Sequence, residues 1–168
     1  MLANGHFMSK PQGANLRKIY WNETLAKSAA KYAARNPEGH SGNKNVGENL
    51  SWHWATNPKD LNQYGKEASE EWLKEFEDFG WKTNKLTSQL FSSGIGHATQ
   101  MVWADTYQIG CGLSTFDEKS KKSGKPIKKI TVVCHYWPRG NFINKPIYIE
   151  GKPCSKCSKC DKNRGICI

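Results

Sequence analysis

Four of the six cysteines, Cys154, Cys157, Cys160 and Cys167, crowd into the last fifteen residues of a 168-residue chain. That segment holds too few apolar side chains to make a core, so cross-links must hold it together. Its Cys-x2-Cys-x2-Cys-x6-Cys spacing fits either a small disulfide-tied appendage or a tetrahedral thiolate zinc site. Disulfides agree with an even cysteine count and an extracellular chain, and clustering favours local pairing, although six cysteines allow fifteen pairings on count alone. A secreted protein is therefore expected. "MLANGHFMSKPQG" lacks the apolar core of a signal peptide, which points to a mature or recombinant form with Met1 an added initiator. Two sequons, at Asn22 and Asn49, suit a secretory route, and Asn22 is the expected glycosylation site.

Upstream of the tail the chain reads as one domain with helices first and strands after. Residues 1 to 20 carry Gly5, Pro11 and Gly13 without periodicity and read as an arm. From Glu23 to Arg35, Leu25, Ala29, Tyr32 and Ala33 recur at helical spacing, and Pro37 and Gly39 stop the element. "NVGENLSWHW" reads as a turn feeding another short helix. A longer helix starts near Leu61, where Tyr64, Ala68, Trp72, Glu75, Phe76 and Phe79 make one face apolar except for a single carboxylate. The acids beside that face, paired with Lys66 and Lys74, form a solvated flank. His97 to Trp103 reads as a short helix. "YQIGCGLSTF" and "PIKKITVVCHYW" read as strands joined by the polar hairpin "DEKSKKSGK". Seven Trp, six Tyr and six Phe supply buried bulk that argues against disorder. No apolar run approaches the eighteen or so residues that span a bilayer, so a soluble α+β or layered α/β/α domain is expected.

The formal charge is +10, concentrated at Lys119, Lys121, Lys122, Lys125, Lys128 and Lys129 and again at Lys152, Lys156, Lys159, Lys162 and Arg164. Lysine dominates and no stacking aromatics are interleaved with it. Nucleic acid is not expected as a partner; anionic membrane surfaces or glycans fit better, and plain solubility best. P-loop, dinucleotide, His-Glu-x-x-His and Gly-x-Ser-x-Gly signatures do not occur. His40, Glu48, Glu75 and His97 remain. If they converge, two imidazoles and two carboxylates can hold a divalent ion or position a water.

"GENL" at 47 to 50, "GHATQMVWADT" at 96 to 106 and "CHYWPRGNF" at 134 to 142, with "HS" at 40 and "EEWLKE" at 70 to 75, resemble the signature motifs of the CAP superfamily. That superfamily joins cysteine-rich secretory proteins, antigen 5 and plant pathogenesis-related proteins. The nearest likeness is to the venom allergen-like, or activation-associated, secreted proteins of parasitic nematodes. The resemblance implies a three-layer α-β-α sandwich with an antiparallel sheet over residues 1 to 145 and a hinge-like, disulfide-rich extension over 146 to 168. It implies a cleft tetrad of His40, Glu48, Glu75 and His97, with His40 and His97 able to hold Zn2+ or Mg2+, no required cofactor and no agreed enzymatic activity. It also implies disulfides Cys111 to Cys134, Cys154 to Cys160 and Cys157 to Cys167.

The function so implied is a secreted binder of sterols and of fatty acids, acting as an effector or immunomodulator at a host interface. Tyr64, Ala68, Trp72, Phe76 and Phe79 are the expected lipid wall, and residues 32 to 42 the sterol loop, here poor in aromatics. A scaffold that binds host proteins and a metal-dependent hydrolase are the alternatives. The chain departs from the pattern in lacking the first motif, which suggests a trimmed N-terminal helix. Ala98 replaces a usual aromatic, and Thr131 a usual apolar residue.

Overall fold

A computed structural model describes residues 2–168. The first regular elements are a two-residue strand β1 (Tyr20–Trp21) and helix α1 (Glu23–Ala33). Asn22 caps α1, its Oδ1 accepting from the N–H groups of Thr24 and Leu25, while its Nδ2 donates to Gln108. The side chain expected to carry a glycan is thus engaged in starting the helix.

"GENLSWHWA" is strand β2 (Gly47–Ala55), not the expected short helix. Leu50, Trp52 and Trp54 alternate along it, and β2 pairs antiparallel with β4 from Gly47 opposite Tyr136 to Ala55 opposite Lys128. That period of two, read against a partner strand, overrides the helical reading. In this strand Asn49 is buried and donates to the His97 carbonyl and the Tyr136 hydroxyl, so the second sequon faces the interior.

Helix α2 (Leu61–Phe79) follows, and Asp60 caps it. A short helix α3 (Ser88–Ser92), where only a loop is expected, is capped by Thr87, and α4 (Gly96–Met101) holds the His97 segment. Strands β3 (Gln108–Lys119) and β4 (Pro126–Trp137) form the long hairpin, and its polar loop is shorter than the sequence suggests because both strands run into it. The sheet order is β1-β3-β4-β2, antiparallel except for β1 against β3.

Helices cover both faces of this sheet. On one, Ala29 and Ala33 of α1 pack on Leu50 and Val133. Gly110 and Gly112 bring the strand into contact with the α1 backbone, since a Cβ on Gly110 would lie 2.1 Å from the Ala26 nitrogen and one on Gly112 2.3 Å from the Ala30 nitrogen. On the other face, Tyr64, Ala68 and Trp72 of α2 pack on Ile130, Val132, Cys134 and Tyr136. The architecture is the expected three-layer α-β-α sandwich. A lateral core, containing Phe76, Trp81, Leu86, Leu90, Ile95 and Trp103, also takes in Ile147 and Tyr148.

The disulfides are Cys111–Cys134 between β3 and β4, Cys154–Cys160 and Cys157–Cys167. No cysteine is free among the described residues, so the thiolate zinc alternative for the tail falls away. A small ribbon of β5 (Cys160–Asp161) and β6 (Ile166–Cys167) completes the tail. The N-terminal arm docks the tail through backbone bonds: Cys167 donates to Leu16, and Lys18 to Cys167.

Candidate functional site

Strand β2, α2, α4 and the loop before β2 bring His40, Glu48, Glu75 and His97 together. Glu48 Oε1 accepts from His40 Nδ1 at 2.9 Å and from the Ser41 N–H at 2.8 Å. Glu75, the carboxylate that interrupts the apolar face of α2, accepts from His97 Nδ1 at 2.5 Å and from the Ala98 N–H at 3.0 Å. A carboxylate only accepts, so each imidazole carries its proton on Nδ1 and keeps Nε2 free. The two rings lie 6.4 Å apart, centroid to centroid, and His97 stacks on Trp72 at 5.7 Å.

His135 is a partner the sequence reading missed. It faces Glu48 across the β2–β4 register, is 2% exposed, and donates from Nε2 to Glu48 Oε2 at 3.0 Å while Nδ1 meets the Ser28 hydroxyl at 3.1 Å. The "CHYW" stretch contains this histidine, but only strand register reveals what it faces. Burial would raise the Glu48 pKa, yet hydrogen bonds from His135, His40 and Ser41 outweigh it and hold the carboxyl well below its ordinary range. The bond to Glu48 raises the His40 pKa, partly offset by burial.

A divalent ion in this region would be held by the free Nε2 atoms of His40 and His97. A metal-ligating histidine commonly donates its other nitrogen to a carboxylate, which fixes the ring and strengthens the ligand. His40 and His97 would supply two nitrogens; among the described residues no group of three or more His, Cys, Asp or Glu side chains is arranged to hold a metal. Such a site would stay open to water.

A cleft of about 460 Å³ opens beside the pair. His40, Glu48 and the loop from Ser41 to Gly47 form one side, and Phe91 and Phe142, each more than 40% exposed, stand on the other. His97 and Glu75 are outside its lining. The expected lipid wall on α2 is mostly core: Tyr64, Ala68, Trp72 and Phe76 are buried against the sheet and lateral core. Phe79 lies beyond them, 51% exposed, and borders a separate cavity of about 310 Å³ with Leu90. At about 100° per residue Phe79 shares the angular stripe of Tyr64, Ala68, Trp72 and Phe76, so its exposure comes from its place as the last residue of α2, beyond the part of the helix that the core covers.

The three-layer sandwich carries two His–Glu contacts beside an open cleft. Residues 12–136 match the model of the CAP, or cysteine-rich secretory protein, family, and the chain belongs to that family. It is 30% identical over 167 residues to "Ancylostoma secreted protein" of Ancylostoma caninum, covering 94% of this chain and 37% of that one. Among solved structures, NaASP2 with Zn2+ superposes with a TM-score of 0.79 at 35% identity, covering 94% of this chain and 80% of its own. BmVAL-1 gives 0.81 at 32% identity, covering 99% and 82%. No helix among the described residues is long and apolar enough to cross a membrane.

Proposed function

We propose that this chain is a secreted, non-catalytic binding protein. Its central cleft takes a small lipid, sterols first and fatty acids second, beside a divalent ion held by His40 and His97. The observation that carries this reading is the 460 Å³ cleft itself, which joins two exposed phenylalanines to the rim where His40 presents its free nitrogen. Its volume falls in the range of small-molecule sites, roughly 300–1,000 Å³. The likeness to NaASP2, solved with Zn2+, supports the metal, and the likeness to "Ancylostoma secreted protein" supports action outside the cell; the host interface is the setting we propose for it.

A hydrolytic role fits the same residues less well. Glu48 and Glu75 each spend both carboxylate oxygens on donors. Glu48, held strongly ionised, is also a weak base near neutral pH. The test is equilibrium binding of labelled cholesterol and palmitate to the oxidised protein, with and without Zn2+. Saturable cholesterol binding that falls at least tenfold in Phe91→Ala/Phe142→Ala is expected. Zn2+ binding is expected to fall in His97→Ala. Absence of saturable binding of either lipid would overturn the lipid reading, and unchanged Zn2+ affinity in His97→Ala would overturn the metal assignment.

A further inference from the structure

Helix α1 covers only part of its face of the sheet. Its eleven residues span about 16 Å, whereas the twelve-residue strands β3 and β4 run about 40 Å. α1 lies over Gly110 and Gly112 and ends at Ala33, so the half of that face toward the closed end of the hairpin has no helix on it. Register places Trp54 opposite Lys129 and Trp52 opposite Thr131 on this face, with Phe116 and Ser114 one strand further across the sheet. An open groove of about 860 Å³ lies there, with Trp52, Trp54 and Ile127 in its lining.

Both indoles are fixed by their edges. Trp52 Nε1 donates to the Pro37 carbonyl and Trp54 Nε1 to Glu118, each at 2.9 Å; Trp54, 54% exposed, offers most of the ring surface, while Trp52 packs partly on the α1 core and offers the remainder of its ring to the groove. The acids at this end are already engaged, Asp117 with Lys128 at 2.6 Å and Glu118 with Lys129 at 3.8 Å. Lys119, Lys121 and Lys122 also line the groove, and among the described residues none of the three forms an ion pair. Glu38, exposed at another part of the lining, directs an anionic ligand toward the hairpin side.

We infer that this groove binds a sulfated polysaccharide, whose sugar rings lay their apolar C–H faces on Trp52 and Trp54 while its sulfates pair with Lys119, Lys121 and Lys122. The chemistry matches at both ends: an aromatic face takes a flat apolar surface, and clustered unpaired lysines take closely spaced anions. A concave site with its indoles pinned as lining suits a chain molecule better than a bilayer, which needs side chains that protrude. This site is independent of the His–Glu cleft.

The test is calorimetric titration of the full, disulfide-bonded protein with a heparin hexasaccharide at several NaCl concentrations. Saturable, salt-weakened binding is expected. Lys119→Ser/Lys121→Ser/Lys122→Ser should weaken it at least tenfold and reduce the slope of log affinity against log salt by about two to three. Trp54→Ala should weaken binding without changing that slope, and Trp54→Tyr, which keeps a ring, should restore it. Removing equal charge from the tail, Lys156→Ser/Lys159→Ser/Lys162→Ser, should leave affinity within twofold of the parent. Equal losses in the two triple variants would overturn the groove, since net charge alone would then bind. Equally tight binding of a desulfated hexasaccharide would overturn the sulfate contacts. Hairpin-dependent binding to phosphatidylserine vesicles without hexasaccharide binding would assign the surface to membranes instead.

Discussion

Removing the Glu48 side chain should expose how strongly the cleft is tied together. The Glu48 side chain is 7% exposed, and its oxygens accept from His40, the Ser41 N–H and His135. The His40 bond lies at a side chain that is 62% exposed, so water replaces much of it. His135, 2% exposed, has no such substitute, and the half-buried Ser41 N–H has only a partial one. Losing a charge-assisted acceptor costs about 1.5–3 kcal/mol per buried donor, so Glu48→Ala should cost about 3–5 kcal/mol, the scale of a broken buried pair. Glu48→Gln keeps the shape and one acceptor and should cost about 1–2 kcal/mol.

The pH dependence follows from the depressed pKa. A carboxyl held below its unfolded value contributes stability fully above that value, 4.5, and loses it as pH falls toward the folded pKa. The gap between the parent and Glu48→Gln should therefore widen as pH falls through the raised His40 pKa, reach a plateau between about 6.5 and 4.5, and narrow below 4.5 by up to about 1.4 kcal/mol per pH unit. Urea unfolding followed by tryptophan fluorescence at pH 7, 5, 4 and 3 measures both quantities. A Glu48→Ala cost under 1 kcal/mol, or a gap that does not narrow in acid, would refute the account.

Gly110→Ala should destabilise the fold by about 3 kcal/mol, because its Cβ would meet backbone atoms of α1 that cannot move aside alone; thermal melting checks it. Phe76→Ala should cost about 3–5 kcal/mol and Phe79→Ala less than about 1 kcal/mol, a split between buried and exposed positions of α2 that denaturant unfolding reads directly. Thr131 is buried with a hydroxyl that has no partner among the described residues, so Thr131→Val should stabilise by about 1 kcal/mol. Zn2+ affinity should rise with pH through the elevated His40 pKa, because only the neutral ring binds a metal, and Glu48→Gln should move that inflection downward; titration calorimetry across pH 6–8.5 checks both shifts.

Local pattern alone located α1, α2 and the β3–β4 hairpin, because each carries its own period, caps or turn residues within a few positions. The quoted motifs located the tetrad and implied the cysteine pairs, because those residues stand in fixed short stretches. Strand β2 carries no comparable local signal, since Leu50, Trp52 and Trp54 alternate only briefly and take their meaning from β4 beside them. Burial divided the α2 residues between core and surface, and no helical wheel shows which layer lies opposite Phe79. His135 could not be assigned to Glu48, 87 residues away, without the strand register that puts them face to face. The bare half of the sheet, where Trp52 and Trp54 meet the hairpin lysines, depends on the mismatch between a short helix and long strands. Sequence fixes what is local because backbone propensity and side-chain period act over one or two turns. Tertiary structure decides the rest because register, burial and layer coverage are properties of elements only once they touch.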